Sequence, residues 1–114
     1  MKKQQPNAIV LFVLPIDTKR KLGEDGWIFE TKRFVPNSVA DKVVIYFNVH
    51  LKEEFLGINK YQSEMSQINL ILDETNKISE IFIRTKLEKE KLLRELKNIL
   101  SEENVEIFDP SQSK

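Results

Sequence analysis

The sequence lacks cysteine altogether and contains only three glycines, one tryptophan and one histidine. Without cysteine the chain can form neither a disulfide nor a thiolate zinc site, and the lone imidazole of His50 cannot hold a metal unless carboxylates lie nearby. Its 18 basic and 18 acidic residues cancel, so no net field draws the chain onto nucleic acid or an anionic membrane. What remains is a small domain that folds on its hydrophobic core.

Long apolar runs are also missing. No segment approaches the roughly 20 apolar residues of a membrane span. The apolar run near the N-terminus follows two lysines, as in a secretory signal, but Pro15 breaks it and Ile16 and Asp17 follow instead of a small-residue cleavage site. We therefore expect a buried strand here and a cytoplasmic protein.

The length of 114 residues predicts a single domain over residues 1–114 that can fold without disulfides. Its ordered core is expected to cover residues 6–109. Pro110 ends the last apolar segment, and the polar residues that follow predict a frayed tail over 110–114.

Hydrophobic patterns predict a sheet in the first two thirds of the chain. Residues 8–14 are apolar at every position, which is typical of a central strand covered on both faces. Further strands are predicted at 27–35, 42–52, 67–72 and 78–84. The last two flank turn-forming residues and should pair as a hairpin. We expect a surface loop over 17–26 and an irregular segment over 53–67, where neither strand nor helix spacing fits.

The last third of the chain predicts a capped amphipathic helix and a short strand. Thr85 and Glu88 have the spacing of a capping box. An apolar stripe at helical spacing follows, formed by Leu92, Leu93, Leu96, Ile99 and Leu100. Residues 105–108 predict a strand, which a right-handed crossover would lay parallel to an earlier strand. The predicted fold class is α+β: a single, mostly antiparallel sheet with one principal C-terminal amphipathic helix packed on a face and a short final strand.

One enzymatic pattern stands out. Asp17 with Glu30-Thr31-Lys32 resembles the D...ExK signature of PD-(D/E)xK nucleases. In that family two carboxylates hold a divalent ion, and the lysine orients the attacking water or stabilises charge. Glu30 and Lys32 would share one strand face, as this chemistry requires. Because E-x-K is common by chance in a chain rich in lysine and glutamate, the metal-dependent nuclease is the alternative hypothesis.

A third hypothesis is a nucleic-acid-binding accessory protein. Basic residues are concentrated at Lys19-Arg20-Lys21 and at Lys32-Arg33, and Trp27 and Phe29 accompany them, as in proteins that bind single strands. Core packing is the simpler role for those rings. Glutamates interleaved with the lysines of the predicted helix also cancel its local field.

A family resemblance lies in the last third of the chain. The run Ile78-Ser79-Glu80-Ile81-Phe82-Ile83-Arg84 precedes the predicted helix, which leads to Val105-Glu106-Ile107-Phe108-Asp109. This pattern resembles the C-terminal module of many small bacterial immunity proteins, which neutralise toxins delivered by neighbouring bacteria. The resemblance implies stoichiometric binding and inhibition of a cognate toxin, and it assigns no site residues.

A protein partner would bind where side chains stay exposed. Interfaces favour aromatic anchors with charged rims. Tyr61, flanked by acidic residues, fits that description, with core packing of its ring as the alternative. The predicted partner-binding surface consists of Trp27, Glu53, Glu54, Tyr61 and Glu64. We expect no catalytic residue, metal or cofactor.

Overall fold

The computed structural model describes residues 8–30 and 33–112. Its elements, in chain order, are β1 (Ile9–Pro15), β2 (Lys19–Gly23), β3 (Gly26–Glu30), α1 (Asn37–Phe47), β4 (His50–Phe55), β5 (Ile58–Gln62), β6 (Ser66–Leu72), β7 (Ile78–Thr85), α2 (Lys89–Ile99), β8 (Val105–Phe108) and a 3₁₀ turn (Pro110–Gln112). The fold is α+β, with a six-stranded sheet and a separate two-stranded hairpin formed by β2 and β3.

The large sheet has the strand order β4-β5-β6-β7-β1-β8, and every neighbouring pair is antiparallel. The predicted central strand is confirmed as β1, which lies between β7 and β8. The predicted hairpin is confirmed as β6 and β7, whose turn is held by Asp73: its carboxylate accepts hydrogen bonds from the backbone N–H groups of Thr75 and Lys77. Because β7 and β8 both run antiparallel to β1, β8 is parallel to β7, although β1 separates them.

The strand predicted over residues 42–52 is wrong, because α1 occupies most of that segment. The alternation that suggested a strand also contains a helical stripe, and the residues that α1 buries are Val39, Ala40, Val43 and Phe47. Ile45, which would share one strand face with Val43 and Phe47, is 77% exposed, as the helical spacing requires. The helix ends at Asn48, whose left-handed backbone (φ 54°) lets Val49 N–H reach the carbonyl of Val44. A second principal helix therefore lies in the middle of the chain.

Two segments expected to lack regular structure contain strands. The segment 53–67 holds the end of β4, all of β5 and the start of β6. Its pattern was obscured by a bulge between Leu51 and Glu53, which shifts the alternation by one residue. The loop expected over 17–26 instead forms β2 and the start of β3, which pair from Lys19–Glu30 to Gly23–Gly26. The sheet is consequently not single.

The start of α2 differs from the predicted capping box. Glu88 is the N-cap, and its carboxylate accepts hydrogen bonds of 3.1 Å from the backbone N–H groups of Glu90 and Lys91. Thr85 lies in β7 instead, where its buried hydroxyl pairs with that of Ser66 at 2.7 Å. The apolar stripe is confirmed, since Leu92 and Leu96 are almost fully buried.

Both helices pack on the same face of the sheet and contribute to one hydrophobic core with Leu11, Val13 and the inward residues of β6 and β7. Two polar contacts join α1 to α2 and to the turn that follows α2. Tyr46 donates a 2.5 Å hydrogen bond to Glu95, and Lys42 donates one of 2.8 Å to Glu103. Burial, together with the hydrogen bond to Glu95, raises the pKa of Tyr46 to about 12.

The hairpin β2–β3 packs on the opposite face at the β1–β8 end of the sheet. Phe29 contacts Phe12 with ring centroids 4.9 Å apart, and Trp27 contacts Phe108 at the same separation. After β8, where a frayed tail was expected, Pro110–Gln112 forms a single 3₁₀ turn. Asp109 starts this turn by accepting a hydrogen bond from the backbone N–H of Ser111 and pairs with Lys89 at 2.6 Å. Residues 113 and 114 lie outside the described residues.

The buried stripe of α2 predicts a large difference between neighbouring substitutions. Leu96 is fully buried, so Leu96→Ala should lower the free energy of unfolding by about 2–5 kcal/mol in urea melts. Lys97→Ala, an exposed neighbour on the same helix, should change it by less than about 0.5 kcal/mol. Equal stabilities of the two variants would contradict the packing of α2 on the sheet.

Candidate functional site

The sheet ends at β4 in an edge strand that is exposed along its whole length. Its apolar side chains are exposed too: Leu51 is 50% exposed and Phe55 48%. The turn into β5 adds Leu56, which is 98% exposed, and Gly57, whose φ of 81° suits the tight connection. We name Leu51, Phe55 and Leu56 the edge apolar cluster. Exposed apolar side chains grouped with charges are typical of protein-binding surfaces.

Glu53 and Glu54 belong to this edge but point to opposite faces of the sheet. Glu53 opposes Lys60, with which it forms an exposed ion pair at 3.5 Å. Glu54 opposes Asn59 and shares the helix-covered face with Tyr61. Within the described residues, Glu54 makes no ion pair. Its carboxylate is therefore available to a partner.

Tyr61 is half-buried and packs against the core. It opposes the fully buried Ile68 of β6, so its ring fills space beneath the helices. The exposed ring at this edge belongs to Phe55, which sequence reasoning did not select. The pair Leu56-Gly57 is the signal that could have found it, because a glycine turn between two short apolar runs indicates a hairpin whose tip is exposed.

Glu64 lies in the turn between β5 and β6, at the end of the sheet where β4 begins. It borders a groove of about 540 Å³ together with Tyr46, His50 and Met65. Met65 is 44% exposed. Glu64 makes no ion pair among the residues that the structure describes. The groove therefore extends the β4 edge with a further carboxylate and a flexible apolar side chain.

Trp27 does not belong to this surface. It lies in the hairpin and packs on Phe108 of β8, at the other end of the strand order from β4. Five strand spacings of about 4.8 Å separate the two edges, roughly 24 Å. The five predicted residues thus divide into three carboxylates at the β4 end of the sheet, Tyr61, which packs against the core, and Trp27, which anchors the hairpin.

The carboxylates of the nuclease pattern do come together. Asp17 and Glu30 line one cleft of about 800 Å³, along with Lys19, Phe29 and Asp73. Asp73 is engaged in its own turn, where hydrogen bonds from the Lys77 backbone and the Thr75 hydroxyl lower the pKa of its carboxyl. Among residues 8–30 and 33–112, no group of three His, Cys, Asp or Glu side chains could hold a metal ion. Lys32 lies outside the described residues. The pattern therefore supplies two carboxylates in one cleft, and they do not belong to a metal-binding group of three among the described residues.

The basic run Lys19-Arg20-Lys21 does not form a continuous patch, because alternate residues of β2 point to opposite sides. Arg20 points toward β8, where it pairs with Glu106 at 2.6 Å and lies 4.5 Å from the centre of the Phe108 ring. Lys19 opposes Glu30 on the other side of the hairpin. Arg20 therefore fastens the hairpin to the sheet.

Comparison of the chain with protein-family models, with curated proteins and with solved structures finds no match. Neither helix in the described part of the chain combines the length and the apolar character needed to cross a membrane.

The Arg20 contacts generate a prediction about the hairpin. Arg20→Ala removes the ion pair with Glu106 and the stacking on Phe108, which together should cost about 1 kcal/mol. Amides of residues 19–30 should exchange faster with solvent, and Trp27 fluorescence should shift to the red. Lys21→Ala, on the exposed side of the same strand, should behave as wild type. Unchanged exchange in Arg20→Ala would show that the rings alone hold the hairpin.

Proposed function

We propose that this chain is a protein-binding inhibitor, an immunity protein that neutralises a cognate bacterial toxin by stoichiometric binding. Its binding surface is the β4 edge with the adjoining β5–β6 turn. The observation that carries the proposal is the edge apolar cluster, exposed at one edge of the sheet beside carboxylates that have no ion pair within the described residues.

The chemistry of this surface suits capture of a basic partner. Leu51, Phe55 and Leu56 supply apolar area, and burying such side chains on association contributes about 25 cal/mol per Å² before the costs of binding are subtracted. Glu54 lies beside Leu51 on the helix-covered face, Glu53 lies beside Phe55 on the other face, and Glu64 lies in the adjoining β5–β6 turn. A toxin that acts on nucleic acid has a basic groove, and complementary charge accelerates encounter with it. Inhibition of this kind covers an active site and needs no reactive group.

The proposal predicts a protective effect in cells. If the neighbouring reading frame encodes a toxin domain, its expression should arrest growth, and co-expression of this chain should restore growth and give a one-to-one complex. Within that complex, the triple charge reversal Glu53→Lys, Glu54→Lys and Glu64→Lys should slow association at low salt by roughly tenfold or more, because the steering field is lost.

A matched control uses three exposed acidic residues elsewhere: Glu24 and Asp25 in the β2–β3 turn, and Glu102 after α2. Their reversal to lysine changes the net charge equally but should leave the association rate within about twofold of wild type, since these residues lie away from β4. Both variants should have urea unfolding midpoints close to that of the wild type, because substitutions of exposed residues change stability little. Capture at the wild-type rate by the first variant would place the binding surface elsewhere.

The alternative function is a metal-dependent nuclease, favoured by the shared cleft of Asp17 and Glu30. That hypothesis requires purified protein to nick DNA or RNA with magnesium or manganese, and Glu30→Gln to abolish the activity, whereas Glu24→Gln would preserve it. Under the inhibitor proposal we expect no cleavage by any of the three proteins. Cleavage that depends on Glu30 would overturn the inhibitor proposal.

A further inference from the structure

The outer side of β4 has no strand beside it in the described sheet. An edge strand presents backbone N–H and C=O groups to whatever lies alongside, and an extended segment can pair with them as an added strand. The other edge, β8, has four residues, and none of them is exposed. β4 has six residues, all of them exposed. It is thus the edge with room for a further strand.

The side chains of β4 are divided between the two faces of the sheet. Leu51 and Glu54 oppose Tyr61 and Asn59 and share the helix-covered face. Phe55 opposes Ile58 and lies on the hairpin side, because successive strand residues alternate. A strand added to β4 would place one residue against each of these side chains, and directly opposed residues share a face.

We propose that β4 accepts an extended segment of the protein partner as a seventh strand of the sheet. This inference rests on the proposed function and specifies how that partner is recognised. The segment carries a basic residue opposite Glu54, because that carboxylate makes no ion pair among the described residues. It carries apolar residues opposite Leu51 and Phe55, which are about half exposed. In this mode of binding, hydrogen bonds between the two backbones give affinity for any extended segment, and the contacts of these side chains give selectivity for one sequence.

A second copy of the chain fits this edge less well. Two-fold antiparallel pairings centred on Glu53, on Glu54 or between them place carboxylates directly opposite one another, which is destabilising. The pairing centred between Lys52 and Glu53 would oppose unlike charges, but Lys52 is the extra residue of the bulge between Leu51 and Glu53 and is out of register for direct pairing. The charges of β4 thus disfavour self-pairing and favour a foreign segment with a basic residue.

The probe is the acetylated and amidated octapeptide TTVKTVTT, aligned antiparallel to β4. Its first valine lies opposite Phe55 and its lysine opposite Glu54. Because the bulge takes Lys52 out of the pairing, its second valine lies opposite Leu51. NMR titration of the full-length protein should shift the amides of residues 50–55 and slow their exchange with solvent. Two further peptides keep the same side chains but carry backbone N-methyl groups, one at positions 3 and 5 and the other at positions 4 and 6.

Strand addition uses only one edge of the peptide, so one methylated peptide should bind roughly tenfold more weakly while the other binds as the parent does. Glu54→Lys should weaken binding of TTVKTVTT, and the charge-swapped peptide TTVETVTT should restore it. Glu24→Lys, far from β4, is the matched control and should bind as wild type.

Three results would overturn the inference: no binding of TTVKTVTT at millimolar concentration, equal binding of both methylated peptides, or shifts confined to residues outside 50–55. Sedimentation of the free protein as a dimer whose amides at residues 50–55 are protected from exchange would assign the edge to a second copy instead. If co-expression still neutralises a toxin in any of these cases, the inhibitor function stands and the partner is recognised by other contacts. If strand addition holds but no toxin is neutralised, the inhibitor proposal fails.

Discussion

The fold depends on one constraint, which is that β1 is apolar on both of its faces. Leu11 and Val13 are fully buried beneath the two helices, and Leu14 is fully buried on the opposite side. Burying a side chain of this kind stabilises the fold by about 1.5–3 kcal/mol, so both faces of β1 must be covered. The helices cover one face and the hairpin β2–β3 covers the other.

The hairpin is short, and it covers only the β1–β8 end of the second face. Its rings reach Phe12 and Phe108, while Arg20 joins it to Glu106. In the described part of the chain, nothing comparable covers the other end of the strand order, where β4 is exposed along its length. Because the short hairpin covers only the β1–β8 end, the β4 end of the sheet stays exposed. This exposed end is the proposed binding surface.

The candidate site was partly visible in the sequence. The acidic residues Glu53, Glu54 and Glu64 could be selected because they flank a segment with no clear core pattern. Tyr61, predicted as an aromatic anchor with core packing as the alternative, packs against the core opposite Ile68, a contact that no local pattern reports. Phe55 was not selected, because the bulge between Leu51 and Glu53 shifts the strand alternation by one residue and so hides which face of the sheet Phe55 occupies. Aromatic character alone does not distinguish a core ring from an exposed one.

The sequence by itself determined the elements whose patterns are unambiguous: the all-apolar β1, the β6–β7 hairpin around its turn, and the apolar stripe of α2. It predicted a strand where α1 lies, because Val43 and Phe47 satisfy a strand and a helix period equally well within a short window. Tertiary structure decided that choice by giving α1 a place on the core beside α2, fixed by the Tyr46–Glu95 and Lys42–Glu103 contacts. It also decided that Thr85 completes β7 while Glu88 caps α2. Local spacing allows several structures, and only the burial of apolar area across distant segments selects one of them.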